Sequence, residues 1–185
     1  DFVQSRSNMA SILRDLGKLN EAEISARKAI ELNPEFADAY YNLGSILIDL
    51  GKLKDAEICT LKAIELNPNF VGAYYNMGAI LQKQKKLEEA IASYKKAILL
   101  KPDYAEAYNN MGVALFDQGN LGEAVAIYEK ALLLNPNNAE AYNNMGYALK
   151  DQGNQKEAIE AYEKALLIKP DFASARAQKL HQQAH

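Results

Sequence analysis

The five prolines of this chain lie at one fixed interval. They are Pro34, Pro68, Pro102, Pro136 and Pro170, each 34 residues after the one before, with no insertion or deletion between them. Such an interval is typical of a protein that stacks copies of one small structural unit, because a single unit cannot bury its apolar face alone. The interval therefore predicts an elongated repeat array, although a chain of 185 residues would also suit one compact domain.

The interval divides the chain into five units and a shorter last segment. The units are residues 3–36, 37–70, 71–104, 105–138 and 139–172, which make up an array within residues 1–172, and residues 173–185 follow it. In the fourth unit, Tyr108, Met111 and Leu115 have the spacing of one helix face, and a second helical stripe precedes Pro136. No segment has the alternation of a strand. The sequence therefore predicts an all-α fold of five helix-turn-helix repeats, with 173–185 as a C-terminal capping or connecting helix.

Glycine and proline predict where these helices end. A glycine follows the first helix in four units, at Gly17, Gly51, Gly119 and Gly153, where a left-handed residue commonly ends a helix. The third unit has Lys85 there, which predicts a different or strained turn, because a side chain makes that conformation costly. Each proline ends the second helix. The acidic or amide residue after it is predicted to cap the next first helix; these residues are Glu35, Asn69, Asp103, Asn137 and Asp171.

Several small residues recur for reasons of packing. One position in the middle of each first helix holds Ala10, Gly44, Gly78, Gly112 or Gly146. Glycine inside a helix costs about 1 kcal/mol relative to alanine, so its recurrence predicts a close approach of helices. A facing position holds alanine in every unit, at Ala22, Ala56, Ala90, Ala124 and Ala158. We interpret these positions as architecture and not as catalytic groups.

The recurring residues are similar to those of the tetratricopeptide repeat (TPR) family. An aromatic residue, a Leu/Met-Gly pair, alanines, a second aromatic residue and a proline recur at that family's spacing through residues 37–172, with Thr60 in place of one aromatic residue. The first unit departs more, at Arg6, Ala10 and Ala26. The resemblance implies a right-handed superhelical solenoid of antiparallel helix pairs. It also implies a concave surface that is lined by the first helices and binds peptide segments.

Packing does not explain an asparagine that recurs just before the Met/Leu-Gly pair. It is present in every unit, as Asn8, Asn42, Asn76, Asn110 and Asn144. Asparagine forms helices poorly, and its amide offers both a donor and an acceptor, which suits the backbone of an extended peptide. This asparagine ladder resembles that of the TPR array of O-linked N-acetylglucosamine transferases. The alternative interpretation is structural, with the amides bonded to neighbouring repeats or to water.

Positions around the ladder vary from unit to unit, as expected where specificity resides. Further candidate peptide-binding residues are Tyr41, Tyr75, Asn109, Asn143, Phe116 and Tyr147. Aromatic side chains in a groove bind strongly at little entropic cost, but each of these aromatic residues could equally pack against its own neighbours. Acidic residues outnumber basic ones on the same helices, so a neutral to mildly basic protein or peptide partner is expected. The lysines and arginine with which chaperone-binding TPRs hold a carboxylate are missing.

The composition argues against several other classes of function. A net charge of −3 disfavours nucleic acid as the main partner, and no apolar run is long enough to cross a membrane, so a cytoplasmic protein is expected. Cys59 is the single cysteine, and the only histidines, His181 and His185, lack a third ligand nearby. We therefore expect no metal, no cofactor and no catalysis by this chain.

The sequence leaves two functions open. The first is a scaffold for protein–protein interaction that binds an extended peptide through the asparagine ladder. The alternative is the substrate-recruiting region of a larger enzyme such as a glycosyltransferase. Because Asp1-Phe2 repeats the Asp171-Phe172 junction, we expect the chain to be a piece of a longer array. Self-association through the ends of the solenoid is a further hypothesis.

Overall fold

The structure is a computed structural model that describes the backbone of residues 2–183 and the side chains of residues 2–179. Within these residues the chain forms eleven α-helices and no strand, so the predicted all-α repeat fold is confirmed. The helices are α1 (Phe2–Asp15), α2 (Leu19–Leu32), α3 (Ala37–Asp49), α4 (Leu53–Leu66), α5 (Val71–Lys83), α6 (Leu87–Leu100), α7 (Ala105–Asp117), α8 (Leu121–Leu134), α9 (Ala139–Asp151), α10 (Gln155–Ile168) and α11 (Ala173–Gln183). The side chains of His181 and His185 lie outside the described residues.

The helices belong to two compact units, which divide between residues 100 and 101. In the first unit the hairpins α1/α2, α3/α4 and α5/α6 stack in chain order, with α2 packed on α3 and α4 on α5. In the second unit the hairpins α7/α8 and α9/α10 stack in the same way through α8 and α9, and α11 packs on α10. The core of each unit therefore lies between consecutive hairpins, as expected for a repeat protein.

The turn inside each hairpin has a left-handed residue. Among the described residues, the glycines with positive φ are Gly17, Gly51, Gly119 and Gly153, with φ of 73°, 73°, 85° and 87°. Lys85 adopts the same conformation, with a φ of 64°. The third turn is therefore not a different turn; it is the same turn with a lysine in a region that side chains disfavour.

The predicted caps of the first helices are wrong. The residue that precedes α3 and α5 is Phe36 or Phe70, one position after the expected Glu35 or Asn69. The asparagine before each proline takes part instead, since Oδ1 of Asn33 accepts from the backbone N–H of Glu35 at 3.0 Å. Asn67 and Asn135 make the same two-residue turn. Only Asn138, at the start of α9, accepts a side-chain cap bond, from the Ala141 N–H, among the caps described.

The size of the small residue in each first helix is complementary to that of the residue it faces in the second helix. A Cβ atom added to Gly112 would lie 2.6 Å from Cε1 of Tyr128, far inside contact distance. Gly78 and Gly146 face Tyr94 and Tyr162 in the same way, and Gly44 faces Thr60. In the first hairpin, Ala10 and Ala26 are both completely buried. The first hairpin thus has alanine where the other hairpins have glycine, and it has the small Ala26 where they have tyrosine or threonine.

Candidate functional site

In the first unit, two of the predicted asparagines, Asn42 and Asn76, bond across neighbouring hairpins. The Nδ2 atom of Asn42 donates to Oγ of Ser7 at 2.8 Å and to the Ser7 carbonyl oxygen at 3.2 Å. Asn76 is 8 % exposed, and its Nδ2 atom donates to Oγ of Ser45 at 2.7 Å. Both amides therefore bond the preceding repeat, as the structural interpretation expects. Their Oδ1 atoms accept no hydrogen bond from the described residues and stay available as acceptors.

Asn8, the first member of the series, is in a different environment. Its side chain is exposed, and its Oδ1 accepts a hydrogen bond from Nε2 of Gln4 at 2.9 Å, one turn earlier in α1. This is a contact within one helix and not between hairpins. Position alone therefore does not determine what the recurring amide does.

The two asparagines of the series in the second unit differ again. Oδ1 of Asn110 is 3.4 Å from Nδ2 of Asn109, and Asn110 is half-buried. Asn144 is also half-buried, but its amide makes no hydrogen bond within the described residues. In this unit, Asn144 has both a donor and an acceptor to offer a ligand.

The neighbouring candidates Asn109 and Asn143 are buried. Oδ1 of Asn143 accepts from Oγ of Ser174 at 3.0 Å, which connects α9 to α11. Oδ1 of Asn109 is buried without a hydrogen bond among the described residues. These two positions are about as inaccessible to a ligand as Asn76 and less accessible than the other recurring asparagines.

The candidates Tyr41 and Tyr75 pack against other aromatic rings. The ring centroids of Tyr41 and Phe70 are 4.7 Å apart, and Tyr41 also covers Gly72, where an added Cβ would lie 2.9 Å from its ring. The ring centroids of Tyr75 and Tyr94 are 5.9 Å apart. Both tyrosines are half-buried, so each combines a packing role with one accessible side.

Three of the predicted residues meet around a cavity in the second unit. Phe116, Asn144 and Tyr147 line a space of about 170 Å³ together with Val113, Asp117 and Tyr128. Most of its wall is aromatic or aliphatic, and its polar groups come from four side chains on three helices, α7, α8 and α9. Mostly apolar walls with a few polar groups are typical of ligand pockets.

Tyr128, the second aromatic residue of the fourth repeat, also presents a polar group to this cavity. Tyr128 is 1 % exposed, and its hydroxyl makes no hydrogen bond within the described residues, yet it lines the cavity. In the preceding hairpin the corresponding hydroxyl, of Tyr94, donates to Oε1 of Gln82 at 3.0 Å. The residue that corresponds to Gln82 is Phe116, which cannot accept. The change from glutamine to phenylalanine was the sequence signal that would have revealed this hydroxyl.

Burial and nearby carboxylates keep this phenol protonated. Burial is the larger cause of the raised pKa of Tyr128, and the negative charges of Asp117 and Glu140 raise its pKa further. The hydroxyl can therefore donate or accept a hydrogen bond throughout the physiological pH range. The same carboxylates make the cavity unfavourable for an anion.

A larger cavity, of about 370 Å³, lies against α1 and α2 and is lined in part by Met9, Leu13 and Ile24. Met9 is 48 % exposed, whereas Leu43, its counterpart in the second repeat, is 2 % exposed because the first hairpin covers it. The cavity is thus the uncovered face of a hairpin.

The described residues offer little for other chemistry. They contain no group of three or more residues that could hold a metal ion, and none of the helices they form is long and apolar enough to cross a membrane. Cys59 is half-buried, and burial raises the pKa of its thiol, which is opposite to what a nucleophilic cysteine needs.

Comparisons with family models connect this architecture to known proteins. A model described as TPR repeat matches residues 10–51 and 83–119. Three models described as tetratricopeptide repeat match residues 37–70, 59–92 and 103–171. Together these matches run without a gap from residue 10 to residue 171. No curated protein matches the chain.

Solved structures with the same fold include proteins of similar length. One is YrrB, described as a TPR protein with an unusual peptide-binding site; it is 27 % identical, with a TM-score of 0.77 over 97 % of this chain and 91 % of YrrB. MamA is also 27 % identical, with a TM-score of 0.79 over 89 % of this chain and 96 % of MamA. TTC0263 of Thermus thermophilus is 22 % identical, with a TM-score of 0.78 over 99 % and 100 % of the two chains, and it supports the fold alone.

Proposed function

Because this chain belongs to the tetratricopeptide repeat family, we propose that it is a scaffold that binds an extended segment of a partner protein along its first helices. The observation that carries this proposal is the cavity formed by Phe116, Asn144 and Tyr147, three residues that the repeat pattern had singled out. The description of YrrB as peptide-binding supports the same kind of ligand. The narrower resemblance to O-linked N-acetylglucosamine transferases finds no support in the comparisons.

The recurring asparagines would bind the ligand mainly as acceptors. In the first unit the Nδ2 atoms of Asn42 and Asn76 already donate to the preceding repeat, whereas their Oδ1 atoms accept nothing from the described residues. A peptide backbone N–H is a suitable donor to these oxygens. Because the hydrogen bond to the neighbouring repeat fixes the amide, the acceptor is pre-oriented, and less side-chain entropy is lost on binding. The structural and ligand-binding interpretations are therefore compatible.

We also propose that the partner segment is neutral to mildly basic. The first helices carry exposed carboxylates at Asp38, Glu106, Glu140 and Asp151. Asp49 differs, because its Oδ2 is 2.6 Å from Nε of Arg14. An acidic surface attracts a basic segment and repels an acidic one, which affects partner choice and the rate of association more than affinity.

A displayed library of random 12-residue peptides, selected on the immobilised protein, tests the proposal. We expect peptides to be enriched on the parent protein and lost on a variant with Asn42→Ala, Asn76→Ala and Asn144→Ala. The matched control is Asn69→Ala with Asn137→Ala, since both asparagines are exposed in turns between hairpins. Circular dichroism must show the same helix content in all three proteins. If no peptide is enriched on the parent protein, or if the control loses the same peptides, the proposed function is wrong.

The alternative, a substrate-recruiting region of a larger enzyme such as a glycosyltransferase, would use the same face for the same kind of ligand. No feature of the described residues favours it over an independent scaffold.

A further inference from the structure

The cavity in the second unit contains a polar group that has no partner within the described residues. Tyr128 is 1 % exposed, and its hydroxyl is left without a hydrogen bond there. Because Tyr128 is part of the cavity wall, its hydroxyl can form a hydrogen bond there with water or with a ligand. A ligand that fills the space can therefore supply the missing bond.

The repeats themselves contain matched comparisons for this hydroxyl. Tyr94 is equally buried, and its hydroxyl is satisfied by Gln82. Tyr162 is also buried, and its hydroxyl lacks a hydrogen bond among the described residues. Lys150, the counterpart of Gln82, donates instead to Oε1 of Gln178 at 3.0 Å. Tyr162 is not among the residues that line the cavity, so it provides a control phenol outside the cavity.

The size and the walls of the cavity suit one side chain. With a volume of about 170 Å³, the cavity has room for several water molecules or for one long side chain. The rings of Phe116 and Tyr147 and the side chain of Val113 form its apolar part. Long basic side chains bury their stems against such surfaces, and aromatic faces attract their cationic ends.

The polar groups of the cavity are all compatible with a cation. The oxygens of Tyr128 and Asn144 can each accept a hydrogen bond, and neither donates or accepts one within the described residues. Asp117 in the cavity wall and Glu140 on α9 bring negative charge close to the phenol. Asp117 already has another interaction within the chain, so it contributes charge and not a vacant pairing site.

We propose that this cavity is a specificity pocket for one lysine or arginine side chain of the bound segment, with its stem against Phe116 and Tyr147 and its cationic end at the oxygens of Tyr128 and Asn144. This inference rests on the proposed function, because it assumes a peptide along the first helices. It adds the chemical class of one residue of that peptide and names Tyr128 as a contact.

The test begins with the same random 12-residue peptide library. We expect the sequences enriched on the parent protein to share a lysine or arginine at one position. A synthetic peptide of the commonest sequence is then compared, by fluorescence anisotropy, with versions that carry norleucine or glutamate at that position. We expect norleucine to weaken binding about tenfold and glutamate to weaken it further.

Protein variants then locate the contact. Tyr128→Phe should weaken binding of the basic peptide about five- to tenfold and leave the affinity for the norleucine peptide unchanged, because only the cationic end of the basic side chain bonds the hydroxyl. Tyr162→Phe should leave both affinities unchanged. Each change removes only a hydroxyl that makes no hydrogen bond within the described residues, and the ring still packs on its glycine, so we expect both variants to fold.

The outcomes separate the two proposals. If the parent protein enriches no peptide, both the proposed function and the proposed specificity pocket are wrong. If peptides are enriched without a shared basic residue, the pocket alone is wrong. The same conclusion follows if the lysine-to-norleucine difference is unchanged in Tyr128→Phe.

Discussion

The pairing of Gly112 with Tyr128 makes a quantitative prediction about stability. A Cβ atom at position 112 would lie 2.6, 2.8 and 2.9 Å from Cε1, Cδ1 and Cζ of the Tyr128 ring, which is 1 % exposed. Overpacking of this kind costs about 1–3 kcal/mol, and replacing a helical glycine by alanine returns about 1 kcal/mol. Because a buried ring has little room to move, we expect Gly112→Ala to lower the free energy of unfolding by about 2 kcal/mol.

Removing the Tyr128 ring should also remove the penalty of an alanine at position 112. Tyr128→Ala alone should cost about 3–5 kcal/mol, as large-to-small changes of aromatic core residues do. Once the ring is gone, the alanine at position 112 no longer collides and keeps only its helix-propensity gain. Gly112→Ala with Tyr128→Ala should therefore be about 1 kcal/mol more stable than Tyr128→Ala alone. The first hairpin contains this combination naturally, as Ala10 and Ala26.

Urea unfolding followed by circular dichroism measures all four proteins of this cycle. The control is Gly122→Ala in α8, where an added Cβ would meet only Nε2 of Gln152, at an ordinary distance of 3.5 Å. That control should be neutral or stabilising by up to about 1 kcal/mol. Additive losses for Gly112→Ala and Tyr128→Ala would refute the idea that glycine is required only because of the tyrosine.

Three further predictions follow from other contacts. Gly119→Ala should destabilise the protein by about 1–2 kcal/mol, because its φ of 85° is unfavourable for alanine. No atom lies within 4 Å of the added Cβ, so the loss is conformational and not steric. Thermal unfolding measures it, with Gly122→Ala as the control. Hydrogen bonds from Lys52 and Arg27 lower the pKa of Glu23 in the folded protein. Its contribution to the free energy of unfolding, under about 1 kcal/mol, is therefore present above pH 4.5 and is lost as pH falls through the folded-state pKa. When unfolding is measured against pH, Glu23→Gln should be less stable than the parent near neutral pH and equally stable in acid. Tyr162→Phe should leave the melting temperature unchanged or raise it, and a clear decrease would mean that the hydroxyl has a partner.

The ends of the helices and the turns between them can be predicted from the sequence, because they depend on the backbone preferences of single residues. Pro136 must end a helix and Gly119 readily adopts a positive φ, whatever surrounds them. The helical spacing of Tyr108, Met111 and Leu115 likewise indicates which face is buried. These rules made the repeat fold and its hairpins predictable.

Lys85 shows that the repeat can impose its geometry on a residue that disfavours it. Its φ of 64° is close to that of the turn glycines, so of the two predicted outcomes, a different turn or a strained one, the strained turn is observed. The packing of the two helices on either side of the turn outweighs the local preference. Tertiary structure, and not propensity, decided this conformation.

Hydrogen-bond partners could not be predicted from the repeat pattern. The same recurring asparagine donates to the preceding repeat at Asn42 and Asn76, contacts its own helix at Asn8, and is left without a hydrogen bond among the described residues at Asn144. The sequence by itself determined which residues recur and which helix face they share. Only the tertiary structure decided whether a given amide or hydroxyl is satisfied, because that depends on one side chain in a neighbouring helix, as Gln82 and Phe116 show for Tyr94 and Tyr128.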